Sequence, residues 1–150
     1  MDFDKFGICT LCRNSEQKMV INWRKRQNTL ETIFKRFRKK KYYDALLPIS
    51  GGKDSTFQAH ILKQNNVYPL AVTHGQNWLS LTGRYNLENL LIKFDLDHVV
   101  FNASRKKINR VAKQSITEIG DSCWHCHIGA GTFAVQSALF WKLNLLIYGE

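Results

Sequence analysis

The sequence has little of several things, and each scarcity excludes something. Among 150 residues there are two prolines and four cysteines. No run of about 18 apolar residues occurs, so no membrane-spanning helix is expected. The first residues, MDFDKFGICTLC, carry acids and no apolar stretch, which excludes a secretory signal. A cytoplasmic location follows as the expectation, and in that compartment cysteines are thiols or metal ligands rather than disulfides. Acidic residues are also few, 12 against 22 lysines and arginines. The shortage is local. Residues 24–41 hold nine basic residues and one acid, Glu31, while the other 132 residues are nearly balanced. Any affinity for nucleic acid or an anionic membrane must therefore rest on that one segment.

What is present is enough for one domain with a core: 44% hydrophobic and 12% aromatic residues. Leu30, Ile33, Phe34 and Phe37 recur at i, i+3, i+4 and i+7, with Trp23 one heptad earlier. This predicts an amphipathic helix over 23–40 with a basic outer face. Beyond Tyr43 the pattern alternates. Apolar runs at 44–49, 68–73, 98–101 and 145–148 read as strands. Helical spacing marks 56–65, 81–94, 108–119 and 128–141. Four such alternations predict an α/β fold, a doubly wound, mainly parallel, Rossmann-like sheet. The domains expected are an N-terminal Cys-containing segment with the basic helix, 1–42, and an α/β domain, 43–150. Pro48 and Pro69 fall inside strands and are expected at strand ends or edges. The chain stops at Gly149-Glu150, straight after a strand, where the rim of a binding site would be forming. A fragment of a longer protein is the expectation.

Ser50-Gly51-Gly52-Lys53-Asp54-Ser55-Thr56 joins the first strand to the next helix. Two glycines allow a tight turn and close approach of backbone amides to a ligand. The helix N-terminus adds partial positive charge, and Lys53 a full one. Ser55 and Thr56 are candidates to cap that helix. Asp54 is out of place beside phosphates unless a divalent cation is shared. The loop fits neither the Walker A pattern nor GxGxxG.

Two CxxC pairs, Cys9/Cys12 and Cys123/Cys126, have the spacing of zinc or iron–sulfur ligands, with His125 and His127 flanking the second. Four unliganded thiols are the plain alternative. The second pair is expected in a loop facing the nucleotide side, where a catalytic thiol is conceivable.

The SGGxDS core resembles the PP-loop of the N-type ATP pyrophosphatases, members of the adenine nucleotide alpha hydrolase-like folds. The resemblance implies that Ser50, Gly51, Gly52, Lys53, Asp54 and Ser55 bind ATP and the leaving pyrophosphate. Asp54 would lie near Mg²⁺, and Val72-Thr73-His74 would face the adenine. Lys53 and Asp54 would be the catalytic pair, and Thr73 and Gly149 would join the ATP site. Over nearly its whole length the chain further resembles the bacterial N-acetyl sugar amidotransferases of surface-polysaccharide (lipopolysaccharide O-antigen) synthesis. The stretches are FDKFGICTLC (3–12), LLPISGGKDST (46–56), RYNLENL (84–90), GDSCWHCHIG (120–129) and, more weakly, IYGE (147–150). The resemblance implies conversion of an acetamido group on a nucleotide-linked sugar into an acetamidino group. An adenylated intermediate forms, and a glutaminase partner supplies ammonia. Asn77, Arg84, Asn86, His125 and His127 are the candidates for the sugar side, and zinc is the metal expected at the cysteines. Two other readings stand beside this one. A PP-loop tRNA thiolation enzyme would put the basic helix on tRNA and a Zn or Fe–S site at the cysteines. A non-catalytic zinc-ribbon interaction module would leave the glycine loop without a purpose.

Overall fold

The computed structural model describes residues 2–38, 42–75 and 78–149. The chain divides into two compact units, Met1–Lys35 and Arg36–Glu150.

The first unit holds α1 (Thr10–Met19) and most of α2 (Trp23–Phe37). The apolar spacing of 23–37 places α2, whose buried residue is Phe34. Leu30 and Ile33, on the same stripe, remain about one-third exposed. Nothing in the periodicity announces α1. It buries no residue, and its start is set by a cap rather than by an apolar face. Lys39, Lys40 and Lys41 of the basic segment lie outside the described residues.

The second unit is α/β throughout. The strands β1 (Ala45–Pro48), β2 (Pro69–His74) and β3 (His98–Phe101) alternate with α3 (Lys53–Gln64), α4 (Leu81–Phe94), α5 (Arg105–Ile119) and α6 (Trp124–Phe140). All three strands pair in parallel, in the order β1-β2-β3, with Leu46 opposite Leu70 and Val72 opposite Val99. The run expected as a fourth strand contributes one parallel bridge, Leu46↔Leu146, on the free side of β1. The Leu46 N–H donates to the Leu145 carbonyl at 2.8 Å, and the Ile147 N–H donates back at 3.0 Å. The Tyr148 hydroxyl donates to the Ala130 carbonyl, 3.2 Å away. The spatial order is thus β3-β2-β1 followed by the 145–147 segment. This is the order of one half of a dinucleotide-binding sheet. The two prolines sit at the last position of β1 and the first of β2, where a missing N–H costs least.

Alternation along the strands decides which helix each residue meets. Leu46, Leu70 and Val72 pack with Ala134, Ala138 and Leu143 under α6. Leu47 and Ala71, of opposite parity, are fully covered. α3 packs against β1 and α4, and α5 packs against α6. Helices therefore lie on both faces, and the strands read as short apolar runs because they are buried twice over. α6 begins at Trp124, earlier than expected. The Asp121 carboxylate accepts from the Cys123 N–H at 2.7 Å, and the Cys126 and His127 N–H groups bond to the Cys123 carbonyl. The second CxxC is consequently the first turn of a helix, not a loop. Among the described residues no helix is long and apolar enough to cross a membrane.

Leu46 has zero exposure and sits in the middle of this packing. Leu46→Ala should cost about 2–5 kcal/mol, by lost burial plus a residual cavity. Urea denaturation measures it. A loss below about 1 kcal/mol would mean that β1 is not the centre of the sheet.

Candidate functional site

The strand–loop–helix junction after β1 is the site. α3 starts at Lys53 with Gly52 as its N-cap, and no side chain caps it. Its first N–H groups therefore point out of the loop without a side-chain acceptor. Ser55 and Thr56 do not fill the capping role expected of them. Both hydroxyls donate back to the Gly52 carbonyl, at 3.1 and 2.8 Å.

The two glycines are not equivalent. Gly51 has φ +78°, and a Cβ there would lie 2.7 Å from the Leu87 amide nitrogen and 2.9 Å from its Cα. Both the backbone angle and the close approach of α4 require glycine. Gly52 has an ordinary extended backbone, and a Cβ would meet only the Ser50 Oγ at 3.4 Å. Its bare face opens instead on a cavity of about 230 Å³.

That cavity brings together Ser50, Gly52, Asp54, Ser55, Thr73 and Gly149, six positions expected at an ATP site. It also contains Gln58 and Tyr148, which nothing in the sequence singled out, together with His74. Gly51 and Lys53 line a neighbouring cavity that also holds Asn86. Lys53 and Asp54 nevertheless meet. The ammonium lies 2.9 and 2.7 Å from the two carboxylate oxygens, with both side chains largely exposed. Such a pair adds little stability and is free to exchange partners.

Thr73 is not a free ligand for a base. Its Oγ1 donates to the Ile49 carbonyl at 2.8 Å and lies 2.7 Å from the His98 Nε2. A hydroxyl has one proton, and the carbonyl takes it, so His98 must donate through Nε2–H. Burial also pushes the His98 pKa down, which keeps the ring neutral. Thr73 thus ties the segment after β1 and the end of β2 to the ring of His98, the first residue of β3, under the cavity floor. His74 leaves the other face of β2. Its ring packs with Phe101 and Phe133 and occupies the space a Cβ on Gly129 would need, at 2.3 Å. Burial first, and then the charge of His125, hold the His74 pKa down. The His74 Nδ1 is buried with no partner among the described residues.

The remaining candidates fall elsewhere. Arg84 lines a third cavity beside β3. Asn77 lies outside the described residues. His125 is buried against Trp78, its ring 5.3 Å away, with Nε2 3.2 Å from the Cys126 Sγ. Burial raises the Cys126 pKa, with further contributions from Cys123 and Asp121. His127 is exposed, 3.9 Å from the Asp121 carboxylate.

In the first unit Cys9 caps α1, its sulfur accepting from the Cys12 N–H and lying 3.4 Å from the Cys12 Sγ. A turn holds this arrangement. The Asp4 carboxylate accepts from the Phe6 and Ile8 N–H groups and from Arg13. The backbone bond from Cys12 lowers the Cys9 pKa, and the bond to Cys9 raises that of Cys12. This is a plausible half-site geometry, two sulfurs on one turn. Zinc needs four ligands. Among the described residues no three His, Cys, Asp or Glu side chains gather to hold a metal ion. Among the described residues neither pair has the donors of a complete zinc site.

No protein-family model matches the chain. No curated protein matches it either. Among solved structures it is similar to an NH3-dependent NAD synthetase from Campylobacter jejuni, determined in complex with the nitrate ion. The TM-score is 0.50 and the identity 16%, over 87% of this chain and 57% of that one. The likeness is one of fold. The chain spans a little over half the length of that protein.

Two outcomes test the geometry. Gly51→Ala should destabilise the fold by about 1–3 kcal/mol, while Gly52→Ala should stay within about 1 kcal/mol. Equal losses in chemical denaturation would remove the distinction between the two positions. His74 and His98 both have depressed pKa values, so the unfolded chain takes up their protons first. Their contribution to stability is present above the ordinary value of 6.5 and is lost as pH falls below it. The urea midpoint should therefore drop between pH 8 and pH 5. His98→Asn, which keeps a donor for Thr73, should shrink that drop. An unchanged pH slope in that variant would contradict the assignment.

Proposed function

We propose that this chain is the ATP-binding part of an ATP-dependent amidotransferase. In this reading it converts an acetamido group of a nucleotide-linked sugar into an acetamidino group, in surface-polysaccharide synthesis. One observation carries the reading: SGGKDS stands at the carboxyl end of β1, between β2 and the 145–147 segment. Connections leave for opposite faces of the sheet at that point, and open sheets bind ligands there. The similar fold of an enzyme described as NH3-dependent agrees with ammonia as nucleophile.

The chemistry asked of the site is modest. The amide oxygen attacks the α-phosphorus of ATP, and pyrophosphate leaves. Ammonia then adds to the activated carbon, the C–O bond breaks, and AMP departs with the oxygen. The amidine keeps the new nitrogen, and a proton is released. Mg²⁺, when bound, neutralises phosphate charge, and Asp54 is the carboxylate that would hold it. Both side chains are largely exposed, so Asp54 could turn to Mg²⁺ and Lys53 to the phosphates. The amides at the start of α3 and the bare face of Gly52 receive the pyrophosphate. Tyr148 and Gly149 close the cavity from the far side.

A glutaminase subunit as ammonia source, a cytoplasmic location and the sugar-side roles of Asn77, Arg84, Asn86, His125 and His127 belong to the same proposal. So does a metal at Cys9/Cys12, which would require ligands from outside the described residues.

Asp54→Ala and Lys53→Ala should each weaken ATP·Mg²⁺ binding or pyrophosphate release by about 1.5–3 kcal/mol, the cost of one charge-assisted contact. Calorimetry and a pyrophosphate assay measure the two effects. A double variant that binds ATP like the parent would place the nucleotide elsewhere. Turnover assayed with ammonium and a nucleotide-linked acetamido sugar should yield one AMP per amidine. Turnover on tRNA alone, with sulfur incorporated, would replace the reading with the thiolation one.

A further inference from the structure

A cavity of about 430 Å³ opens beside the loop site, over the carboxyl ends of β2 and β3. It shares Thr73, Leu79 and Leu87 with the loop cavity, so the two are contiguous. Two guanidinium groups from different elements line it: Arg84, near the start of α4, and Arg105, the first residue of α5. No acidic side chain lines it. Among the described residues neither arginine has a carboxylate within ion-pair distance. The Arg84 Nε makes one long contact, 3.4 Å, with the Leu79 carbonyl. The amide of Asn102, also in the lining, lies across Gly75, where a Cβ would come within 1.8 Å of its Oδ1. The Gly75 N–H donates to the Phe101 carbonyl at 2.7 Å, which fastens the two strand ends beneath the cavity.

The sequence of α5 is at odds with helix stability here. Its first turn is Arg105-Lys106-Lys107, with no acid, and Ser104 makes no side-chain cap bond. Cations at the positive end of a helix are unfavourable for the helix itself. Both arginines are solvent-exposed, and among the described residues no carboxylate stands within ion-pair distance of either, so their charge at this edge of the sheet is available to an anion.

We propose that this cavity is the subsite for the acceptor's phosphates, a diphosphate of the nucleoside diphosphate sugar class held by Arg84 and Arg105. Asn102 supplies a further polar contact. The inference rests on the reading of the chain as joining ATP to a nucleotide-linked acceptor. It gives that acceptor a place: diphosphate over β3, sugar toward the loop after β1, its acetamido group approaching the ATP cavity through the shared wall at Thr73 and Leu79.

The phosphates could instead be those of ATP, and the test separates the two sources. Binding of UDP-N-acetylglucosamine and of ATP·Mg²⁺ is measured by calorimetry on the full chain, on Arg105→Gln, Arg84→Gln and Asp54→Ala. Each arginine variant should weaken UDP-N-acetylglucosamine about ten- to a hundred-fold and leave ATP within about twofold. The melting temperature of Arg105→Gln should be equal to or above the parent's, because a cation leaves the positive end of α5. A purely structural role would move stability and binding down together. Three results would overturn the proposal: a parent that does not bind the nucleotide sugar, arginine variants that bind it unchanged, or an equal loss for ATP. Asp54→Ala keeps the two claims apart. If it binds ATP like the parent, the loop reading fails. If it loses ATP while the arginine variants keep the nucleotide sugar, only the subsite fails.

Discussion

The carboxyl edge of the sheet depends on one constraint, the burial of β1 from every side. Leu46 and Leu47 are wholly covered, with β2 on one edge and the 145–147 segment on the other. A strand enclosed in this way cannot shift its register without turning an apolar side chain out of the core. Its last residues are therefore held fixed, and the loop that follows them inherits that position. Gly51 then has no freedom, since α4 presses its backbone against it. The geometry of the glycine loop is thus set by core packing beneath it and by α4 beside it.

The same edge explains where the polar groups went. Residues of one parity on β2 run under α6 and end in His74, packed with Phe101 and Phe133. The other parity ends in Thr73, whose hydroxyl joins Ile49 and His98. Burial pushes both histidines toward the neutral form, and the tautomer of His98 is dictated by what Thr73 can accept. Two cavities open above this floor. One is lined by Asp54, whose carboxylate meets the exposed Lys53, the other by two arginines with no ion-pair partner among the described residues. An enzyme joining two phosphate-bearing molecules, as proposed, would use both places, since amides and guanidinium groups both recognise phosphate.

The N-terminal unit obeys different physics. α1 buries nothing, so its start depends on Cys9, Asp4 and the turn between them rather than on a core. Two sulfurs lie 3.4 Å apart on one turn, yet the described residues offer no third ligand. Spacing alone made both CxxC pairs look alike. In three dimensions one is a capped turn, and the other is split by a helix start that buries Cys126 and exposes Cys123.

What the sequence determined by itself was the part governed by local periodicity and by short motifs: the α/β alternation, the strand positions, the proline placements and the SGGKDS loop at the end of β1. Apolar period and glycine chemistry act within a few residues, so they are legible in a string. The resemblance to the PP-loop also named six residues that line the loop cavity. Tertiary structure decided the rest. The run expected as a fourth strand forms one bridge to Leu46, while the Tyr148 hydroxyl meets a carbonyl on α6. Thr73 was taken up by a histidine 25 residues away, and Ser55 and Thr56 by the Gly52 carbonyl rather than as caps of α3. Gln58 and Tyr148 became lining residues, and Arg84 and Arg105 came to face one cavity, only through packing of α3, α4 and α5 on the sheet. No periodicity records such meetings, because they depend on which long-range surfaces are complementary, and that is settled only when the chain has folded.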